Sequence, residues 1–270
     1  MQEEKAIQDA GRLTSRMIYE VVRRDGDEEL HRPVASLLWS GMTAGLLISF
    51  SVLGEAIFRT YLPDAPWRYL VENLGYSLGF LLVILGRMQL FTENTITTIL
   101  PLVAERTLST LNRVLRLWGL VLVANVVGAG VAGGFIVFSG TMSEPLLASI
   151  FELSQHATGF APGMAFLKAI PAGILVAAIV WMLPAQHGNE VILIIVITWL
   201  IAAGDFTHII AGSVEMWALI FTGDLGPGAA TLDFFLPVLA GNVAGGTAIF
   251  AFLAWGQVKA EVEGAGGHGT

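Results

Sequence analysis

Two strings decide the fold: FTENT at 91–95 and AGDFTHIIAG at 203–212. Each lies inside an apolar run, about 69–104 and 190–221, that is longer than the roughly 20 helical residues a bilayer core needs. Both runs therefore read as interrupted helices. Unpaired backbone N–H and C=O groups are costly in hydrocarbon, so a broken helix is tolerated only where protein buries it or where it lines a cavity. The breaks should mark a pore.

Working outward, further apolar runs cover about 35–58, 114–139, 161–186 and 235–256, which gives six spans with the second and fifth broken. The expected fold is an all-α membrane protein. Composition agrees, with 54% hydrophobic and 13% charged residues and a mean hydropathy of +0.70, against about 25% charged in soluble chains. The chain contains no cysteine, which excludes a disulfide framework, a thiol nucleophile and a thiolate metal site. The formal charge of -8 comes largely from the polar ends and does not suggest nucleic acid as a partner. No glycine-rich phosphate loop or His/Asp/Glu metal spacing is present, and Ser213, five positions from His208, is a poor nucleophile for it. An enzyme, a cofactor and a resident metal are not expected.

Three regions follow. Residues 1–33 are polar and charge-mixed, with a helix-forming stretch from Glu3 to Val22 that reads as a cytoplasmic interfacial helix. Residues 34–256 form the pore domain in the bilayer, and 257–270 form a cytoplasmic tail. Basic residues set the orientation, because Lys- and Arg-rich flanks stay on the cytoplasmic side. Lys5, Arg12, Arg16, Arg23, Arg24, Arg32, Arg106, Arg113, Arg116 and Lys259 share one side, against Arg59 and Arg68 on the other. Both termini are thus placed in the cytoplasm, and the protein in the cell (inner) membrane.

A weak internal repeat relates the halves. VANVVGAG at 123–130 and AGNVAGGT at 240–247 superpose Asn125 on Asn242 and Gly128 on Gly245, 117 residues apart. Phe91-Thr92 falls on Phe206-Thr207 at a spacing of 115, which also brings Glu93 onto His208. Three spans per half make the halves inverted, an architecture that places broken helices and a solute site at their interface. Intramembrane ionisable groups mark such sites, and here they are Glu93, Asp205, His208 and Glu215. Glu93, at the start of a restarted helix, is expected to cap backbone N–H groups; the alternative is contact with His208.

LFTENT at 90–95, GDFTHIIAG at 204–212 and PVLAGNVAGG at 237–246, supported by ANVVG at 124–128, together resemble the formate/nitrite transporter family. The resemblance implies an aquaporin-like protomer with its own pore, assembled as a homopentamer. It implies passage of small monovalent anions or their neutral weak acids, of the formate, nitrite or hydrosulfide class. His208 matches the family's central histidine, implied to be a proton donor, while Thr92 and Asn242 match its threonine and asparagine. By the same resemblance Phe80 and Ile201, with Phe91 and Phe206, are the constriction candidates. Thr207 stands where the better-known members carry glutamate, and His156 or Ala157 stands where they carry lysine, with Lys168 further along the same span. These departures keep two alternatives open: an aquaporin-like path for a neutral solute, and a cation path using Glu93, Asp205 and Glu215.

Overall fold

The computed structural model describes residues 13–266, with side chains to 262. The first ten residues of the 3–22 stretch and the end of the expected tail, 267–270, lie outside the described residues. The fold is all-α. Helix α1 (Ser15–Leu30) begins where the Thr14 hydroxyl accepts from Met17 N at 3.3 Å. It is followed by α2 (Val34–Tyr61) and α3 (Arg68–Leu85). Two short helices, α4 (Phe91–Thr97) and α5 (Ile99–Glu105), then lead to α6 (Leu108–Phe138). The second half holds α7 (Glu144–Thr158), α8 (Pro162–Ala185), α9 (Glu190–Ala203), α10 (Ile209–Thr222) and α11 (Pro227–Val262).

Among the described residues, α2, α3, α6, α8 and α11 are long and apolar enough to cross a bilayer, and α9 and α10 are shorter apolar helices. The second and fifth apolar runs are indeed divided. The first division lies upstream of its expected place: Gly86–Leu90 is irregular, whereas FTENT is the opening of α4. Thr, Asn and Glu favour a helix start as much as a loop, so polarity alone marks the neighbourhood of a break and not its centre. The segment between the apolar runs 114–139 and 161–186 contains the amphipathic α7.

Small residues let the long helices touch at backbone distance. A Cβ on Gly45 of α2 would lie 2.0 Å from the Asn125 carbonyl oxygen of α6, and one on Gly173 of α8 would lie 2.2 Å from that of Asn242 of α11. Gly128 meets the Met42 carbonyl and Gly245 the Ile170 carbonyl in the same manner, each at 2.1 Å. The α2–α6 and α8–α11 pairs are therefore equivalent contacts of two repeats. Helix α9 runs antiparallel along α3, tied by Tyr69 to the Ala203 carbonyl at 3.2 Å, Trp199 to Leu70 at 2.7 Å and Ser77 to Ile195 at 3.2 Å. Large apolar side chains such as Val123, Val131 and Phe135 face outward from α6, which suits a surface solvated by lipid.

Candidate functional site

Both breaks are built from one backbone design, 118 residues apart. Gly86 N donates to Leu82 O at 3.1 Å, as Gly204 N does to Leu200 O at 2.9 Å. Arg87 N donates to Ile84 O and Asp205 N to Ala202 O, at 3.1 and 2.8 Å. Met88 N donates to Val83 O and Phe206 N to Ile201 O, at 3.0 and 2.9 Å. Arg87 and Asp205 both take the left-handed conformation, with φ of 51° and 57°. Each loop thus folds back on the helix it leaves and restarts a helix in the protein interior.

The groups released by each break are collected by one asparagine. Asn125 accepts from Phe91 N at 2.9 Å and donates to the Gln89 and Gly41 carbonyls at 2.8 and 2.7 Å. Asn242 accepts from Ile209 N at 2.8 Å and donates to the Thr207 and Ala169 carbonyls at 3.0 and 2.8 Å. Both side chains are fully buried, and an amide is the one side chain that carries an acceptor and two donors. The sequence pairing of Asn125 with Asn242 reflects this shared work.

This bonding also corrects the alignment of the breaks. The equivalent of His208 is Leu90, not Glu93, and Glu93 corresponds to Ala211. Gap-free superposition on Phe-Thr missed by three residues because the dipeptide lies within the second loop but opens the helix that follows the first. The expected cap is likewise displaced: Asn125 serves the start of α4, and Glu93 Oε1 is buried with no hydrogen-bond partner among the described residues. Glu93 does not touch His208.

His208 itself is the N-cap of α10, with Nδ1 accepting from Ala211 N at 3.3 Å. A backbone N–H can only donate, so Nδ1 bears no proton and the neutral ring carries its hydrogen on Nε2. Nε2 lies 2.8 Å from the Thr92 hydroxyl and donates to it. This bond joins the two breaks across the centre of the molecule. His208 and Thr92 are 2% and 0% exposed, and the buried Phe80 ring stands edge-on to the imidazole at 5.0 Å.

A cavity of about 70 Å³ reaches His208 from the side on which α7 lies. Its wall includes Asp205, Phe206 and Thr207 of the break, together with Glu55, Tyr76 and Glu215. Thr207 also anchors the loop, donating to the Ala165 carbonyl at 3.0 Å. Ile201 and Phe91 are buried away from this cavity, the Phe91 ring packing on Trp118 at 5.7 Å. Ser213 donates to Ile209 O at 2.7 Å and is not paired with His208.

Lys168 reaches this mouth, with Nζ 2.7 Å from Asp205 Oδ2, while His156 Nε2 lies 2.9 Å from Oδ1. Asp205 is therefore held by a lysine and a histidine, and both candidates for the lysine position converge on one carboxylate. At the rim, Arg59 binds Glu72 of α3 and Glu152 of α7, and this bond holds the Glu152 carboxyl below its usual range. Sequence reasoning passed over Glu55, although a glutamate in the apolar run 35–58 is itself the signal.

The family profile described as formate/nitrite transporter matches residues 16–256. The chain is 42% identical over 253 residues to the inner membrane protein YfdC of Escherichia coli (strain K12), covering 93% of this chain and 82% of that protein. It is 29% identical over 246 residues to the formate channel FocA of Haemophilus influenzae, covering 80% and 84%. A solved structure titled as a pentameric formate channel with formate bound superposes with a TM-score of 0.72 at 21% identity, over 84% of this chain and 97% of that one. That likeness shows the shared fold, whose protomer is aquaporin-like.

Proposed function

Because this chain belongs to the formate/nitrite transporter family, we propose that it is a membrane channel for small monovalent anions of the formate class, which cross its centre as neutral acids. The observation that carries this reading is the bond between His208 Nε2 and Thr92 Oγ1 at the meeting of the two breaks. A bare anion in an apolar, water-poor passage has a large desolvation cost that a neutral acid avoids. His208 and Thr92 are the polar pair that receives the solute there, with His208 as proton donor. Its Nδ1 bond to Ala211, at 3.3 Å, is longer than any bond made by the two asparagines. Opening that bond frees Nδ1 to take up a proton, after which Nε2 can give one to an anion. Phe80 and Phe206 supply apolar surface beside the pair.

The same reading makes the protein a homopentamer, as the formate channel of similar fold is titled, with one pore per protomer. Its termini are assigned to the cytoplasm, since α1, which carries Arg23, Arg24 and Arg32, packs on α5 and the end of α11, and basic flanks stay on that side. Transport, and not covalent chemistry, is the proposed activity. The test is flux into proteoliposomes of formate, a neutral solute and a monovalent cation, side by side. Formate flux that falls at least about tenfold in Thr92→Val, with the oligomer intact, supports the reading. Equal flux in the variant, or flux of the neutral solute or the cation alone, overturns it.

A further inference from the structure

Glu55 and Glu215 stand apart from every other carboxylate of the α7-side mouth. Glu72 is bound by Arg59 and Arg68, Glu152 by Arg59, and Asp205 by Lys168 and His156. Arg59, Arg68, Lys168 and His156 are thus each already paired with another acid. Glu55 and Glu215 line the cavity, yet neither makes a hydrogen bond or ion pair with the described residues. Glu215 is 8% exposed. It lies seven residues beyond His208, two helical turns along the same face of α10, and between them the Phe234 ring packs on Gly212, where a Cβ would lie 2.4 Å from it.

A second observation comes from a different helix. The Tyr76 hydroxyl of α3 faces the same cavity, its residue is also 8% exposed, and it too has no hydrogen-bond partner among the described residues. Asn73, which also lines the cavity, donates its amide to the Tyr69 carbonyl at 2.6 Å. Two glutamates, a tyrosine and an asparagine therefore line a small space that reaches His208. A buried carboxylate with neither cation nor donor is strongly disfavoured, and a proton is the smallest charge that removes the penalty.

We infer that Glu215 and Glu55 form a proton-loading site for the permeating anion, placed in the mouth ahead of His208. This rests on the weak-acid reading above and names the residues that meet the solute first. The carboxylic acid hydrogen of Glu215 or Glu55 passes to an oxygen of the bound anion, leaving a glutamate carboxylate and a neutral acid. The acid moves on to His208 and Thr92, and the carboxylate takes a fresh proton from a hydronium ion of the external solution, which leaves water. Tyr76 hydrogen-bonds the solute during the exchange. The remaining titratable groups facing the site, His156, Asp205 and Lys168, hold one another and are left outside the exchange.

The experiment measures formate uptake into proteoliposomes against external pH for the full-length protein, Glu215→Gln, Glu55→Gln and Glu215→Asp, with oligomer size checked for each. Wild-type uptake is expected to rise, as external pH falls, more steeply than the bulk concentration of formic acid. Each glutamine variant should lose about tenfold or more of uptake and follow the bulk acid concentration alone, while the aspartate variant regains part of the steep response. An intact glutamine variant with the wild-type profile overturns the inference and leaves the weak-acid reading standing. A sodium or ammonium flux in the wild type that the glutamine variants lose, beside an unchanged formate profile, also overturns it, since the pair would then be a cation site. Wild-type protein that moves no formate at any pH overturns the weak-acid reading instead.

Discussion

The two breaks share a backbone and differ in almost every side chain. Gly86-Arg87-Met88-Gln89-Leu90 and Gly204-Asp205-Phe206-Thr207-His208 make the same three turn bonds and the same asparagine contacts. Only the glycine is common to both. Folding is therefore set by positions outside the loops, chiefly Asn125 and Asn242 and the glycines that let α2 and α8 approach them. The loop side chains are left free for chemistry, and the second loop has used that freedom: histidine stands where the first has leucine, and a paired aspartate where the first has an exposed arginine.

The largest expected effect tests the shared part. Asn125→Ala and Asn242→Ala each leave one N–H and two carbonyls buried without partners, a loss of at least about 3 kcal/mol. Both variants should fail to give a stable oligomer by size-exclusion and thermal unfolding, and to similar degrees. If one asparagine proves dispensable, the breaks are not energetically equivalent and the comparison fails. Gly45→Ala and Gly173→Ala form a milder pair: the added methyl meets a backbone carbonyl, and each should be destabilised by about 1–3 kcal/mol. A large effect in one half alone would show that the two contacts, alike in geometry, differ in load.

His208→Leu converts the second break toward the first and sharpens the contrast. Leu90 shows that a leucine fits this backbone, so the cost in stability should be that of the lost cap and of the lost partner of Thr92, about 2 kcal/mol together. Flux should fall about a hundredfold. Unchanged flux would make the histidine a structural donor, and an unfolded oligomer would mean that Thr92 and Ala211 need it as a partner.

How much of this was legible beforehand follows the same division. Length, hydropathy and the polar strings located the long helices and the neighbourhood of both breaks, because lipid imposes periodicity-free apolar runs that any reader can count. Asn125 and Asn242 were visible as a repeated letter, but their three-bond role was not, since it depends on carbonyls of α2 and α8 far away in sequence. The register error of three residues arose where side chains diverge while backbone bonds persist. Glu93 was misassigned for the same reason: a glutamate near a helix start reads as a cap unless the competing Asn125 is seen in space. His156 and Lys168 converge on Asp205 from two different helices, which no spacing along the chain announces.

The smallest effect concerns the one residue in each loop with positive φ. A side chain in the left-handed region costs about 1–2 kcal/mol, and glycine removes that cost while adding about 0.5–1 kcal/mol of backbone entropy to be lost on folding. Arg87→Gly should therefore stabilise slightly, by about 0.5 kcal/mol, because Arg87 is exposed and makes no side-chain hydrogen bond among the described residues. Asp205→Gly has the same backbone gain, yet it discards the bonds from Lys168 at 2.7 Å and His156 at 2.9 Å. Asp205 is partly exposed, so solvent screens those bonds and their loss is worth about 1 kcal/mol. The second variant should thus unfold at a lower temperature than the first, by a few degrees in the same detergent. If both glycines stabilise equally, the Lys168–Asp205–His156 group contributes nothing to the fold, and the aspartate is free to serve the pore alone. If Arg87→Gly destabilises, the first loop is held by a contact of its arginine, and the two breaks are less alike than their backbones.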